Sequence, residues 1–204
     1  MTEVLAVAVV TVLAVIAPGA DFAMIVRNSY LHGRRTGLLA AAGVAAGVLV
    51  HVTYTMLGVG LLIASSTALF TAIKLVGAAY LVLVGVRTFR TRTRVEVDLR
   101  AGTDLGPLAA LRAGFLTNVL NPKTTLFVVS TFAQVVGPGT PVLRQVGYGL
   151  FMSLAHLLWF AVVAVFFSHE RMRSLMLRGQ RVLNKVIGSV LAGLGVSLAF
   201  APSH

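Results

Sequence analysis

Asp21 and Lys123 are the residues of this sequence best placed to do chemistry on a small ion. Asp21 follows Pro18-Gly19-Ala20 inside an apolar run that opens with VLAVAVVTVLAV and resumes with Ile25-Val26. Lys123 follows Asn121-Pro122 inside a second apolar run. Together they suit a zwitterion. Asp21 faces an ammonium, while Lys123 and the helix N-terminus after Pro122 face a carboxylate. The same dipole works against Asp21, which also sits at a helix N-terminus and is partly satisfied there. An alternative, not exclusive of the first, is that the two charges pair with each other or cap their half-helices. Gly19, Asn118 and Asn121 complete the candidate binding set, and Asn121 directly precedes the second break.

Three residues are candidates for carrying a coupling proton: Asp21, His51 and His156. An imidazole titrates near neutrality in water. A lone histidine in an apolar span is more often an interhelical hydrogen bond than a relay, so both readings stay open. Tyr54, Tyr80, Tyr148 and Trp159 are expected at the membrane interface or the cavity wall.

The elements that hold these residues are set by composition. The chain is 57% hydrophobic and 11% charged, with a mean hydropathy of +0.91. A soluble domain carries about 25% charged residues. The chain is therefore expected to be an integral membrane protein, all-α. Six stretches are long and apolar enough to span a bilayer: 4–26, 38–63, 68–86, 113–136, 144–167 and 183–201. The first and fourth are interrupted, at Pro18 and Pro122. Proline lacks an N–H and clashes with the preceding turn. The backbone groups it frees are tolerated in hydrocarbon only where protein buries them or water reaches them. Two such breaks predict a polar centre. The first run has no Lys or Arg ahead of its apolar stretch and is not expected to be a cleaved signal.

The formal charge of +11 is concentrated between apolar runs. Three connections carry fourteen Lys and Arg, among them Arg34, Arg35, Arg90, Arg94, Arg173 and Lys185; the other side carries two, Lys74 and Arg144. This bias places those connections in the cytoplasm and both termini outside. It also argues against a nucleic-acid partner. Cysteine is absent, which removes disulfides and thiolate sites.

The halves correspond. Pro18 and Pro122 are 104 positions apart, and His51 and His156 are 105 apart. IKLVGAAYLVLVG (73–85) parallels NKVIGSVLAGLGV (184–196), aligning Lys74 with Lys185 and Gly77 with Gly188. A duplicated three-span unit enters the membrane with opposite polarity the second time, giving a 3+3 inverted repeat. The expected organisation is an N-terminal repeat over 1–86, a cytoplasmic linker over 87–112 and a C-terminal repeat over 113–204. Gly43 and Gly47 form a small-xxx-small pattern that predicts a close helix crossing.

Several blocks taken in order resemble the lysine exporter (LysE/RhtB) family of small bacterial amino-acid exporters. They are Pro18-Gly19-Ala20-Asp21, Arg27-Asn28-Ser29, His32-Gly33-Arg34-Arg35-Thr36-Gly37, Lys74-Leu75-Val76-Gly77-Ala78-Ala79-Tyr80-Leu81, Gly114-Phe115-Leu116 and Asn118 with Asn121-Pro122-Lys123. The family's usual second proline is replaced here by Ala20, and the C-terminal third matches loosely. The resemblance implies export of an amino acid or close derivative across the bacterial inner membrane, driven by the proton gradient.

Three functions compete: a secondary exporter, a channel or ion transporter whose filter is formed by the two breaks, and a membrane-embedded enzyme using a histidine with Asp21. The enzyme is disfavoured, since no nucleophile-base pair or metal cluster is evident. No phosphate-binding loop is present either. No cofactor or metal is expected. The expected partners are the amino acid and membrane lipid, with a homo-oligomer left open.

Overall fold

The computed structural model describes residues 2–65, 105–136 and 139–169, with isolated helical positions between 72 and 90 and between 182 and 196. The described residues are all-helical: α1 (Thr2–Ile16), α2 (Ala20–Ser65), α3 (Pro107–Val119), α4 (Pro122–Val135) and α5 (Val142–Phe167). Apart from those isolated positions, the expected third and sixth spans lie outside the described residues, as do Lys74, Gly77 and most of the linker.

The first apolar run is broken over Ala17-Pro18-Gly19 and restarts at Ala20. Ala20 is the first helical residue, a position where proline is also at home, so its replacement of the family's proline leaves the helix start in place. α2 does not run straight. Gly33 adopts φ 81° and ψ 174°, outside the helical region and easily reached only by glycine. The chain reverses there. Phe22, Ile25 and Val26 on one arm share a buried cluster with Ala40, Ala41 and Val44 on the other. A Cβ on Gly37 would collide with the Ser29 hydroxyl. The basic connection expected over 27–37 is thus helical on both sides of a one-residue reversal, and Arg34 and Arg35 stand exposed at the tip.

The second interrupted element repeats this construction. α3 starts at Pro107 rather than 113 and ends at Val119 with Leu120 as its C-cap, and α4 starts at Pro122 with Asn121 as its N-cap. The Asn121 side chain accepts from the Lys123 backbone N–H at 3.0 Å, as an N-cap should. α3 lies against the second arm of α2. A Cβ on Gly43 would strike the Leu111 carbonyl, one on Gly114 would strike the Ala40 carbonyl, and one on Gly47 would come within 2.7 Å of Asn118 Oδ1. Small residues therefore let the two backbones approach. α5 packs on the same arm, where Ser153 Oγ donates to Ala45 O at 2.8 Å and Gly149 fits against Val52.

A second buried cluster joins four helices, with Val10 of α1, Val48 of α2, Phe127 and Phe132 of α4 and Met152 of α5. At one end of the bundle, Thr140 Oγ1 donates to Glu3 Oε1 at 2.9 Å, and Arg144 lies 3.9 Å from the same carboxylate. The start of α1 and the α4–α5 connection therefore share one end. Ala20–Gly58 and Val142–Phe167 are long and apolar enough to cross a membrane by length and composition. Leu57, Leu143 and Leu154 leave large apolar surface outside, as expected of a surface that meets lipid.

Candidate functional site

The two interruptions meet. Asp21 stands in the first turn of α2, just past the first break, and is 5% exposed. Its Oδ2 accepts from Asn118 Nδ2 at 2.9 Å and from Asn121 Nδ2 at 3.0 Å. Both donors come from the second break, where Asn118 is in the last turn of α3 and Asn121 caps α4. Asn118 Nδ2 also reaches Thr124 Oγ1 at 3.2 Å. Asp21 Oδ1 and Asn118 Oδ1 are buried and meet no donor among the described residues. An ionised oxygen in that position is costly unless something donates to it.

Lys123 makes the reciprocal contact. Its Nζ donates to Ala14 O at 3.0 Å and to Ala17 O at 2.5 Å, the free carbonyls at the C-terminal end of α1. A cation is well placed there, because those carbonyls lack intrahelical donors and carry the negative end of the helix dipole. Gly19 makes room for the arm: a Cβ there would sit 3.3 Å from Lys123 Cδ. Each break is thus held by side chains from the other. The two charges are committed to these partners rather than to a direct pair.

The histidines occupy different environments. His51 Nε2 lies 2.9 Å from Asn118 O, and its Nδ1 lies 2.6 Å from the Tyr54 hydroxyl. A carbonyl only accepts, so Nε2 carries the proton. His51 therefore braces the C-terminal end of α3 much as Lys123 braces that of α1. His156 Nδ1 lies 2.7 Å from Met152 O on its own helix. Asn28 Nδ2 meets the sulfur of Met24 at 3.2 Å, away from the breaks. Tyr148 is buried against the four-helix cluster.

A cavity of about 20 Å3 lies at the junction, walled by Asp21, Gly19, Asn121, Lys123, Phe127 and His156, among others. It has room for one water molecule and none for an amino acid. Ala14, Ala17, Thr124, Phe127 and Phe160 also line it, and the sequence reading did not single them out. Alanine carbonyls leave no mark in a sequence, and two phenylalanines in apolar helices look like any others. Thr124 had one signal, its place beside Lys123 in the first turn of α4.

Paired interrupted helices exchanging polar caps around a buried carboxylate and ammonium are a transporter's construction. The family described as LysE type translocator matches residues 12–201. The chain belongs to this family. Its LysE-type relatives cover it nearly end to end. It is 28% identical over 205 residues to an uncharacterized membrane protein, YrhP, of Bacillus subtilis, covering 96% of this chain and 98% of that one. It is 28% identical over 197 residues to the threonine efflux protein of Escherichia coli, covering 95% and 96%. It is 28% identical over 190 residues to the homoserine/homoserine lactone efflux protein of Salmonella typhimurium, covering 91% and 90%. No solved structure matches the chain. Membership in the LysE/RhtB group makes this a membrane protein of an amino-acid efflux family, a family of transporters rather than enzymes.

Proposed function

We propose that the protein is a secondary active exporter of an amino acid across the bacterial inner membrane, coupled to proton entry. In this reading six spans form a 3+3 inverted repeat, with the basic connections in the cytoplasm and both termini outside. The observation that carries the reading is the reciprocal bonding of the two breaks around one cavity that both Asp21 and Lys123 line. The relatives named for threonine and homoserine efflux support the substrate class.

Asp21 Oδ1 has no donor among the described residues. A proton satisfies it, and so does the ammonium of an amino acid, but one oxygen in a site this small does not take both. Competition of two cations for one carboxylate is the logic of exchange: the proton enters as the amino acid leaves. Lys123 supplies the other half. A substrate carboxylate must draw Nζ away from Ala14 O and Ala17 O, which uncaps α1 at the first break. Ligand binding is then tied to a change in how two helices are held, as a carrier requires. Gly19 and Asn118 shape the pocket, and Asn121 holds Asp21 while capping α4. His51 braces the break through Nε2, and any part it takes in proton coupling would run through Nδ1, which faces the Tyr54 hydroxyl.

Purified protein in liposomes preloaded with radiolabelled amino acids tests the reading. An acidic exterior should accelerate efflux. Efflux of no amino acid under any gradient overturns the exporter reading. Conduction of inorganic ions without saturation favours a channel instead.

A further inference from the structure

His156 is 4% exposed and belongs to the wall of the same cavity as Asp21 and Lys123. Its tautomer is fixed by one contact. Nδ1 lies 2.7 Å from the Met152 carbonyl, which only accepts, so Nδ1 carries a proton. In the neutral ring Nε2 is then a bare lone pair, and no described residue donates to it. The rings of Phe127 and Phe160 flank the imidazole, with centroids 6.3 and 6.1 Å away. The cavity wall thus has a zwitterion-binding pair, Asp21 and Lys123, together with an apolar region carrying one hydrogen-bond acceptor.

We propose that His156 Nε2 accepts a hydrogen bond from a hydroxyl on the substrate's side chain, so that the site selects aliphatic hydroxy amino acids over isosteres with a methyl in place of the hydroxyl. The inference rests on the exporter reading and adds the residue that reads the side chain. The physical ground is the asymmetry of buried polar groups. A substrate admitted when Lys123 leaves the α1 carbonyls and the breaks part displaces any water that could serve Nε2. A hydroxyl replaces that bond, whereas a methyl leaves the lone pair buried and unpaired. The two phenylalanines suit the aliphatic part of such a side chain. An ionised side-chain carboxylate is itself only an acceptor, brings no hydrogen to the lone pair and is refused.

Threonine and valine have nearly the same shape, hydroxyl against methyl, so they isolate this one contact. Liposomes containing the wild-type protein are loaded with both, each carrying a different radiolabel, and the ratio of their efflux rates is read. That ratio is independent of how much protein is folded. Wild type is expected to favour threonine. His156→Leu should lower the threonine/valine ratio about tenfold, the size of one lost hydrogen bond, and His156→Gln, which keeps an acceptor, should restore part of it. A residue that only packs would change both fluxes together and leave the ratio where it was. A wild type without preference for threonine, or an unchanged ratio in His156→Leu, overturns the inference and leaves the exporter reading standing. A wild type that moves neither these nor any other amino acid overturns both.

Discussion

Asn118 Nδ2 lies 2.9 Å from Asp21 Oδ2 and joins residues 97 positions apart, one from each interrupted helix. The same amide reaches Thr124, and the Asn118 backbone carbonyl accepts a hydrogen bond from His51 Nε2. One asparagine therefore orients the carboxylate, the start of α4 and a histidine of α2. Asn118→Asp removes the donor and sets a second carboxylate against the first. The expected cost is about 1–3 kcal/mol, read as a lower thermal midpoint in detergent together with weakened export. Asn118→Leu, which adds no charge, should cost less than Asn118→Asp. Equal midpoints for wild type and Asn118→Asp would mean that this bond contributes nothing.

Asp21→Asn keeps the shape of the side chain and removes its charge. The variant is expected to insert and fold, and to lose the acceleration of efflux by an acidic exterior. Export that still responds fully to the pH gradient would remove Asp21 from the coupling step.

Lys123→Met keeps the length of the arm and leaves Ala14 O and Ala17 O without their donor. A loss of about 1–3 kcal/mol of stability is expected, along with weaker recognition of the substrate's carboxylate. Competition assays separate the two effects. In wild type, amines lacking a carboxylate should compete poorly with amino acids, and in the variant the difference should shrink. If amines compete the same way before and after the change, Lys123 acts on structure alone.

The crossing of α2 and α3 predicts a contrast between two glycines. Gly114→Ala drives a Cβ into the Ala40 backbone, where nothing flexible can yield, and should cost roughly 1–3 kcal/mol. Gly58→Ala meets nothing within 4 Å and should be neutral or stabilise by about 0.5–1 kcal/mol. Thermal midpoints measured side by side decide the matter.

Orientation is open to a labelling test, because the chain has no cysteine of its own. Gly106 and Gly139 lie outside the helices, and an added Cβ meets nothing within 4 Å at either. Gly106→Cys should react with an impermeant maleimide only from the cytoplasmic side, and Gly139→Cys only from the outside. Reaction of both from one side would refute the topology.

The sequence made the charged centre legible because charge is expensive in an apolar run. Asp21 and Lys123 stood out for that reason, and Pro18 and Pro122 marked where the helices stop. Gly43 and Gly47 announced their crossing by spacing alone. Other features left no such trace. Pairing of Asp21 with Lys123 was a fair expectation from charge, yet the ammonium goes to the carbonyls of Ala14 and Ala17, whose side chains are like those of many alanines in the chain. Arg34 and Arg35 marked residues 27–37 as a connection between two spans. The helix instead persists to both sides, since one glycine at φ 81° turns the chain without unwinding its neighbours. Nothing in the sequence marked the partner of Asn28, whose amide donates to the Met24 sulfur.

The chamber between the breaks holds about 20 Å3, the space of a single solvent molecule. On the exporter reading, breaks that meet this closely would keep hydrated ions out of the junction until a substrate parts them.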